Sequence, residues 1–176
     1  VGASQATRSV VVRDITPPTL VLIGEANATH EATVPYMDPG ALAFDNADGN
    51  LTSSILVNGN VDVDIIGVHT LTYSLSDQAG NTAATLTRLV TVQDSAPPVI
   101  TLNGDADVTH QATTPFVDLG ATAFDSFDGD LTESIVIGGD EVNASSLGIY
   151  HVFHEATDNA GNLGRGIRTV TVRDTI

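Results

Sequence analysis

A repeat of about 80 residues constrains the fold of this chain more than any other feature. DITPPTLVL at 14–22 returns as DSAPPVITL at 94–102, and DPGALAFD at 38–45 returns as DLGATAFD at 118–125. After one inserted residue, DQAGN at 77–81 returns as DNAGN at 158–162, and RLVTVQD at 88–94 returns as RTVTVRD at 168–174. The chain is therefore predicted to contain two small domains, 14–93 and 94–176, rather than one large domain.

The first residues of the chain fit the same pattern. RSVVVRD at 8–14 aligns with the closing segment of both repeats, so residues 1–13 are predicted to be the last strand of a truncated preceding repeat. Neither a signal peptide nor an apolar run of about 18 residues is visible. We therefore expect a piece of a longer protein, with no insertion into a membrane.

Each repeat has the sequence pattern of strands joined by turns. In GVHTLTYSLS at 67–76 large residues occupy alternate positions, which is typical of a half-buried strand, and 148–157 repeats that pattern. Proline pairs precede an apolar segment in each repeat, where they remove no hydrogen bond from a sheet. No segment carries a helical apolar stripe. About seven short strands per repeat predict an all-β fold of two tandem immunoglobulin-like antiparallel sandwiches.

Charge and composition exclude several classes of function. The chain has 22 acidic residues and six basic ones, all arginine, for a net charge of −16. This balance argues against binding to nucleic acid or to an anionic membrane surface, and it favours cations as partners. Cysteine is absent, so disulfides cannot stabilise the two small domains, whereas packing, proline or a metal ion can.

The ordered set of motifs resembles a known family of modules. The set comprises PPTLVLIG at 17–24, DPGALAFD at 38–45, DGNLT at 48–52, DQAGN at 77–81 and RLVTVQD at 88–94, with their counterparts in the second repeat. It resembles the bacterial immunoglobulin-like repeat of secreted and surface proteins, including the type attached to an insecticidal crystal toxin, and it is similar to hyaline-repeat and cadherin-like modules. The resemblance implies an extracellular, non-catalytic module that often binds calcium.

Some of the positions that differ between the repeats affect the family pattern. His69 stands where the second repeat has Tyr150, and His154 stands where the first repeat has Tyr73. Asn50 replaces the acidic residue that is found at position 130.

Acidic side chains are predicted to converge at one end of each domain. In immunoglobulin topology the turns at 45–50 and 77–81 lie at the end where the chain enters the domain, close to the aspartate that closes the preceding strand. The candidate ligands in the first repeat are Asp14, Asp45, Asp48 and Asp77, with Asn50 or Asn81 as neutral ligands. The candidates in the second repeat are Asp94, Asp125, Asp128, Asp130 and Asp158.

Calcium is the ion that these candidates suit best. Carboxylates about 5 Å apart repel each other by roughly 3 kcal/mol per pair at an effective dielectric constant near 20, so such a cluster favours a bound cation. Ca²⁺ accepts six to eight oxygen ligands, whereas Zn²⁺ prefers nitrogen or sulfur and Mg²⁺ retains its waters. DSFDGD at 125–130 does not have the spacing of an EF-hand loop, so the predicted site is discontinuous.

Simpler interpretations of the same residues stay open. Asp and Asn before Gly are common turn residues, and DQAGN at 77–81 is compatible with a plain hairpin turn. A glycosidase pair of carboxylates is disfavoured because the acids lie in repeated turns rather than around one cleft. His30 and His110 recur in register and are interpreted as strand-edge residues rather than metal ligands.

The sequence predicts a structural role and no catalysis. The first hypothesis is a pair of non-catalytic modules in the stalk of a bacterial surface adhesin, stiffened by calcium at the junctions with neighbouring repeats of the same polypeptide. The alternative is a carbohydrate- or protein-binding accessory module of a secreted enzyme, with Tyr36, Phe116 and Phe127 as the aromatic candidates for a glycan. A third hypothesis is a plain spacer without metal, and both the adhesin and the accessory module would be extracellular.

Overall fold

The computed structural model describes residues 4–174 and divides into two compact units. Of the described residues, unit 1 comprises those within Val1–His30 and Pro35–Val92, and unit 2 those within Glu31–Val34 and Gln93–Ile176. Residues 4–18 contain no strand. The prediction that 1–13 closes a preceding repeat stays a prediction, and positions 1–3 lie outside the described residues.

Unit 1 consists of seven strands within the described part of the chain. They are β1 (Thr19–Leu22), β2 (Asn27–Glu31), β3 (Ala41–Asp45), β4 (Gly49–Asn50), β5 (Leu56–Asn58), β6 (Gly67–Ser74) and β7 (Leu86–Gln93), with one 3₁₀ turn at Thr52–Ser54. The strands form one sheet in the order β1-β3-β4 and a second in the order β2-β7-β6-β5. This arrangement confirms the all-β prediction.

Unit 2 repeats the same order of elements. Its strands are β8 (Val99–Leu102), β9 (Asp107–Gln111), β10 (Ala121–Asp125), β11 (Gly129–Asp130), β12 (Val136–Gly139), β13 (Gly148–Thr157) and β14 (Leu163–Arg173), with a 3₁₀ turn at Thr132–Ser134. The sheets are β8-β10-β11 and β9-β14-β13-β12. One pair departs from the antiparallel pattern, because β9 lies parallel to β14 with Val108 opposite Val170.

The alternating residues of the long strands form the core. On β6 Leu71 and Tyr73 are buried while their neighbours are more exposed, and β13 buries Val152, His154 and Ala156 in the same way. The facing strand β3 contributes only small side chains to the core, Ala41 and Ala43, and β10 contributes Ala121 and Ala123. Large side chains on one sheet therefore pack against alanines on the other.

A buried arginine ties the two sheets of each unit together. Arg168 is 1% exposed; it donates hydrogen bonds to the carbonyl oxygens of Asn103 (2.6 Å) and Gly120 (3.3 Å), and it lies 2.6 Å from the Asp118 carboxylate. Burial alone would raise the pKa of Asp118, but hydrogen bonds from the Gly120 N–H, from Arg168 and from His154 outweigh it, so that pKa is lowered. Asp118 therefore stays ionised beside the guanidinium.

Unit 1 has the same arrangement with one difference. Arg88 donates to the carbonyl oxygens of Ile23 and Gly40 and lies 3.4 Å from Asp38. Here the Tyr73 hydroxyl donates to Asp38 at 2.8 Å, where unit 2 places the imidazole of His154. Burial and then this hydrogen bond raise the pKa of Tyr73 to about 12.

Candidate metal centre

The aspartate that ends the third strand of each unit is fixed by its own loop. Asp45 is the last residue of β3, and its Oδ1 accepts hydrogen bonds from the N–H groups of Ala47 (2.8 Å) and Asp48 (3.0 Å). In unit 2 the Oδ1 of Asp125 accepts the equivalent bonds from Phe127 and Asp128. Both aspartates point inward, because they are in phase with the buried alanines of their strands.

A second aspartate in each unit is fixed by an asparagine four residues later. The two oxygens of Asp77 accept from the backbone N–H and the side-chain amide of Asn81, both at 2.7 Å. Asp158 accepts the same pair of bonds from Asn162, each at 2.8 Å. The repeated DxAGN motif therefore holds its carboxylate rigidly.

The structure gathers three carboxylates into one group in each unit. Carboxylate oxygens of Asp14, Asp45 and Asp48 lie within 4.8 Å of one another in unit 1. Those of Asp94, Asp125 and Asp158 do so in unit 2. No lysine occurs in the chain, and the buried arginines Arg88 and Arg168 are engaged with Asp38 and Asp118 rather than with these groups.

The oxygens left over from the loop hydrogen bonds distinguish these groups from ordinary turns. The Oδ2 atoms of Asp14, Asp45, Asp94 and Asp125 are buried and accept no hydrogen bond. The residues Asp45 and Asp125 are only 2% and 1% exposed. A plain turn accounts for the Oδ1 contacts, but a buried carboxylate oxygen without a partner is costly and calls for a ligand.

The pKa values in unit 2 reflect the crowding of negative charge. Burial, and next the charge of Asp125, raise the pKa of Asp94. Burial also acts to raise the pKa of Asp158, but the hydrogen bonds from Asn162 outweigh it and the pKa is lowered. The group therefore combines Asp158, whose hydrogen bonds favour the charged form, with Asp94, whose burial and acidic neighbours disfavour it.

The remaining predicted ligands lie beside the groups rather than within them. Asp77 is engaged with Asn81, whose side chain also donates to the Thr16 carbonyl oxygen at 3.4 Å. Asp128 accepts from the backbone and the side chain of Asn159, both at 2.7 Å. Asp77, Asn81 and Asp128 therefore support the loops that carry the groups.

Asp130 is the predicted ligand with the weakest structural case. It is exposed on β11, and its Oδ1 accepts from the Thr132 N–H at 2.9 Å. Asn50 makes the same contact to Thr52 in unit 1. Asp130 therefore begins a turn. In the first repeat the neutral Asn50 accepts the same hydrogen bond at the equivalent position.

The donor set of each group fits Ca²⁺. All the donors are oxygens, they come from at least two separate loops in each unit, and buried oxygens without partners are available in both units. Such a set suits a hard cation that accepts six to eight oxygens at flexible geometry. Asp14, Asp45 and Asp48 would hold the ion in unit 1, and Asp94, Asp125 and Asp158 would hold it in unit 2.

Two of the three aromatic residues considered for a glycan are engaged elsewhere. Tyr36 packs against the core of unit 1 and makes an edge contact with His30 at 5.1 Å. Phe116 packs against the core of unit 2 and against His110 at 5.3 Å. These contacts agree with the interpretation of the two histidines as packing residues.

A family model covers most of the chain. The model described as "Bacterial surface protein, Ig-like domain" matches residues 20–92 and again residues 100–172. The two matches coincide with the seven-stranded parts of the two units.

Curated relatives carry similar sequences. An uncharacterized 81.3 kDa protein of Acholeplasma phage L2 is 31% identical over 78% of this chain, and the pesticidal crystal protein Cry22Aa of Bacillus thuringiensis is 33% identical over 74%. Hyalin of Strongylocentrotus purpuratus is 30% identical over 94% of the chain. The chain spans only 19%, 18% and 13% of the lengths of these relatives.

A solved structure shares the fold at low sequence identity. It contains the M60 catalytic domain with the CBM51-1 and CBM51-2 domains from Clostridium perfringens ZmpB, and it matches 90% of this chain with 31% of its own length. The TM-score is 0.54 at 15% identity, which supports the fold alone.

Among residues 4–174 there is no helix with the length and apolarity needed to cross a bilayer.

Proposed function

The chain belongs to the family of bacterial surface proteins with Ig-like domains, and from that premise we propose that it is a calcium-stiffened, non-catalytic segment of an extracellular protein. Membership confirms the resemblance inferred from the repeated motifs. The proposed role is that of a stalk or extender, in which the neighbouring repeats of the same polypeptide are the first partners and a cell-surface molecule is the distant one.

The buried, unpaired Oδ2 atoms of Asp45 and Asp125 carry this proposal. A structural turn has no use for a carboxylate whose second oxygen is buried without a partner, yet both repeats keep one at the same position. Ca²⁺ supplies the missing positive charge and accepts these oxygens directly. Repulsion of roughly 3 kcal/mol per carboxylate pair would then be replaced by attraction.

Chain connectivity turns this ion site into a stiffening device. Strand β7 ends at Gln93, and the next residue, Asp94, contributes an oxygen to the group in unit 2. An ion that fixes Asp94 therefore restrains the chain where it leaves β7. Asp14 precedes β1 and has the corresponding position before unit 1.

A non-catalytic role agrees with the placement of the acids. They lie in loops that both units repeat, and the Oδ1 atoms of Asp45 and Asp125 are engaged with backbone N–H groups of those loops. A hydrolytic pair requires two carboxyl groups that flank a substrate.

Calorimetric titration of the whole chain with CaCl₂ tests the proposal. With a dissociation constant of about 0.1 mM and about 1 mM calcium, each site adds roughly 1.4 kcal/mol to the free energy of unfolding. Asp45→Asn should remove the site in unit 1 and Asp125→Asn the site in unit 2, because the amide oxygen keeps the loop hydrogen bonds while the charge is lost. Asp130→Asn is the matched control, since the first repeat already has Asn50 there, and it should bind normally.

Two outcomes would contradict the proposal. The first is the absence of binding heat together with an unchanged melting temperature in about 10 mM calcium. The second concerns stiffness alone: small-angle scattering profiles that coincide in calcium and in excess chelator would show that ion binding does not restrain the chain.

A further inference from the structure

The four-stranded sheet of unit 2 has an outer face that is ordered into rows. Residues 151, 153 and 155 of β13 share this face, and residues 165, 167 and 169 of β14 lie directly opposite them. The other face of the same strands is buried in the core. The outer face is therefore set by the sheet register and not by a mobile loop.

The first row is polar and the second is apolar. His151 lies opposite Thr169, which in turn lies opposite Asp107 on β9. The Thr169 hydroxyl and His151 Nδ1 are 3.5 Å apart. In the second row Phe153 lies beside Ile167, and on its other side Gly138 of β12 has no side chain to cover the ring.

The third row is an ion pair that holds the aromatic ring in place. Arg165 forms an ion pair with Glu155, and its guanidinium carbon lies 4.8 Å from the centroid of the Phe153 ring. This cation–π contact orients the Phe153 ring, and Arg165 takes the place at the ring face that another cation would otherwise occupy. A further cation would have to compete with Arg165.

These side chains line a shallow groove of about 550 Å³. Its walls are formed by Ala106, Asp107, His151, Phe153, Ile167 and Thr169. This volume lies within the usual range of roughly 300–1,000 Å³ for small-ligand sites, in which apolar surface is combined with a few placed polar groups.

The first repeat does not have this face. Its sheet places Thr70 and Thr72 where unit 2 has His151 and Phe153, and Thr87 lies opposite Thr72 where Ile167 lies opposite Phe153. Since both units have the same fold, the fold does not require an aromatic residue, an imidazole and a carboxylate at these positions. The difference points to a ligand of unit 2.

We propose that this groove binds a neutral hexopyranose unit of a glycan chain. A pyranose has an apolar C–H face that matches Phe153 and Ile167, and a rim of hydroxyl groups that both donate and accept hydrogen bonds. The polar row offers both kinds of partner, because Asp107 accepts while His151 and Thr169 donate and accept.

The charge of the face selects against acidic sugars. Asp107 and Glu155 outnumber Arg165, and the whole chain carries a net charge of −16. Sulfated or carboxylated sugars would meet repulsion, and Arg165 is already paired with Glu155. The proposal does not rest on metal binding by the aspartate groups.

An NMR titration of the ¹⁵N-labelled chain with neutral disaccharides tests the proposal. The probes are cellobiose, lactose and N,N′-diacetylchitobiose, with a sulfated disaccharide as the acidic arm, all in one calcium-containing buffer. At least one neutral probe should shift the amide signals of 151, 153, 167 and 169. The sulfated probe should bind more weakly.

Substitutions by the residues of the first repeat provide the test of the groove. Phe153→Thr should weaken binding by about tenfold or more, because it removes the apolar ring. Ile167→Thr should weaken binding to a lesser degree, and it provides a second variant if the first lowers stability. Phe124→Thr removes an aromatic residue that is 62% exposed on the other sheet of the same unit, so it should leave binding unchanged.

Three results with the neutral probes would overturn the proposal. They are the absence of shifts with all neutral probes at about 10 mM, shifts confined to residues outside the groove, and equal weakening by Phe153→Thr and Phe124→Thr. Preferential binding of the sulfated probe would also overturn it, because the face would then recognise anions.

Discussion

Replacement of the buried arginine by methionine should destabilise one unit selectively. Arg168→Met keeps an unbranched side chain of similar length but removes the guanidinium. The group is 1% exposed, and its loss leaves the Asp118 carboxylate and the carbonyl oxygens of Asn103 and Gly120 without their donor.

The magnitude follows from the burial of Arg168 beside an Asp118 side chain that is 17% exposed. Removal of one member of a buried ion pair costs about 3–5 kcal/mol, because the remaining charge is left uncompensated. A domain of this size has a total free energy of unfolding of about 5–15 kcal/mol. Unit 2 should therefore lose about a fifth or more of its stability, while unit 1 keeps its own Arg88 and stays folded.

Hydrogen exchange followed by mass spectrometry can separate the two units. The chain contains no tryptophan, so peptide-resolved exchange is more informative than fluorescence. Amides of β13 and β14 should lose protection in Arg168→Met, and those of β6 and β7 should do so in Arg88→Met. Arg165→Met, on the exposed face of the same strand, is the control and should cost less than about 1 kcal/mol.

The reasoning would be refuted by a small or a non-local effect. A cost below about 1 kcal/mol for Arg168→Met would show that the buried pair contributes little. Equal loss of protection in both units would show that the arginine does not act within its own unit.

Two further changes probe the core and the sheet edge. The folded-state pKa of Tyr73 is raised from 10.0 to about 12, so the neutral hydroxyl adds to the free energy of unfolding below pH 10. This contribution is lost as the pH rises toward 12, by at most about 2.7 kcal/mol. Circular dichroism of urea unfolding should show this alkaline loss in the native chain and not in Tyr73→Phe, and parallel pH curves would contradict it. Gly139→Ala should destabilise β12, since its Cβ would lie 2.2 Å from the His151 carbonyl oxygen at a φ of +84°, whereas Gly138→Ala has open space and should be nearly neutral in the same assay.

The sequence predicts the strands well because their periodicity is strong. The alternation in 67–76 identifies β6, and the phase of Val90 and Val92 identifies the buried face of β7. Arg88 lies two residues before Val90, so the same alternation places it on the buried face. Its charge argues against burial, and for this reason the buried arginine was not predicted from the sequence. The parallel pairing of β9 with β14 had no local signal, because register between distant strands depends on the whole sandwich.

The candidate ligands were predictable as a set but not individually. Asp45 and Asp125 follow alternating strands that end in a loop, which fixes their inward direction. Asp128 and Asp130 lie in the same loop motif as Asp125, and only the three-dimensional path of the loop shows that Asp130 begins a turn outside the group. Spacing alone gives no information about which carboxylate oxygen faces into the group.

The two repeats serve as controls for each other. The proposed calcium sites rest on features that both units share, whereas the proposed glycan groove rests on a face that only unit 2 has. The buried aspartates and the Arg–Asp pair occur in both units, so they belong to what the two modules share. The outer face of unit 2 differs from that of unit 1, whereas the buried arginine and two buried valines of β7 recur on β14. Because alternate residues of a strand face opposite sides, substitutions at 151, 153 and 167 change the groove without reaching the aspartate loops or the core. Loss of glycan binding with retained calcium binding in such variants would therefore separate recognition from stiffening.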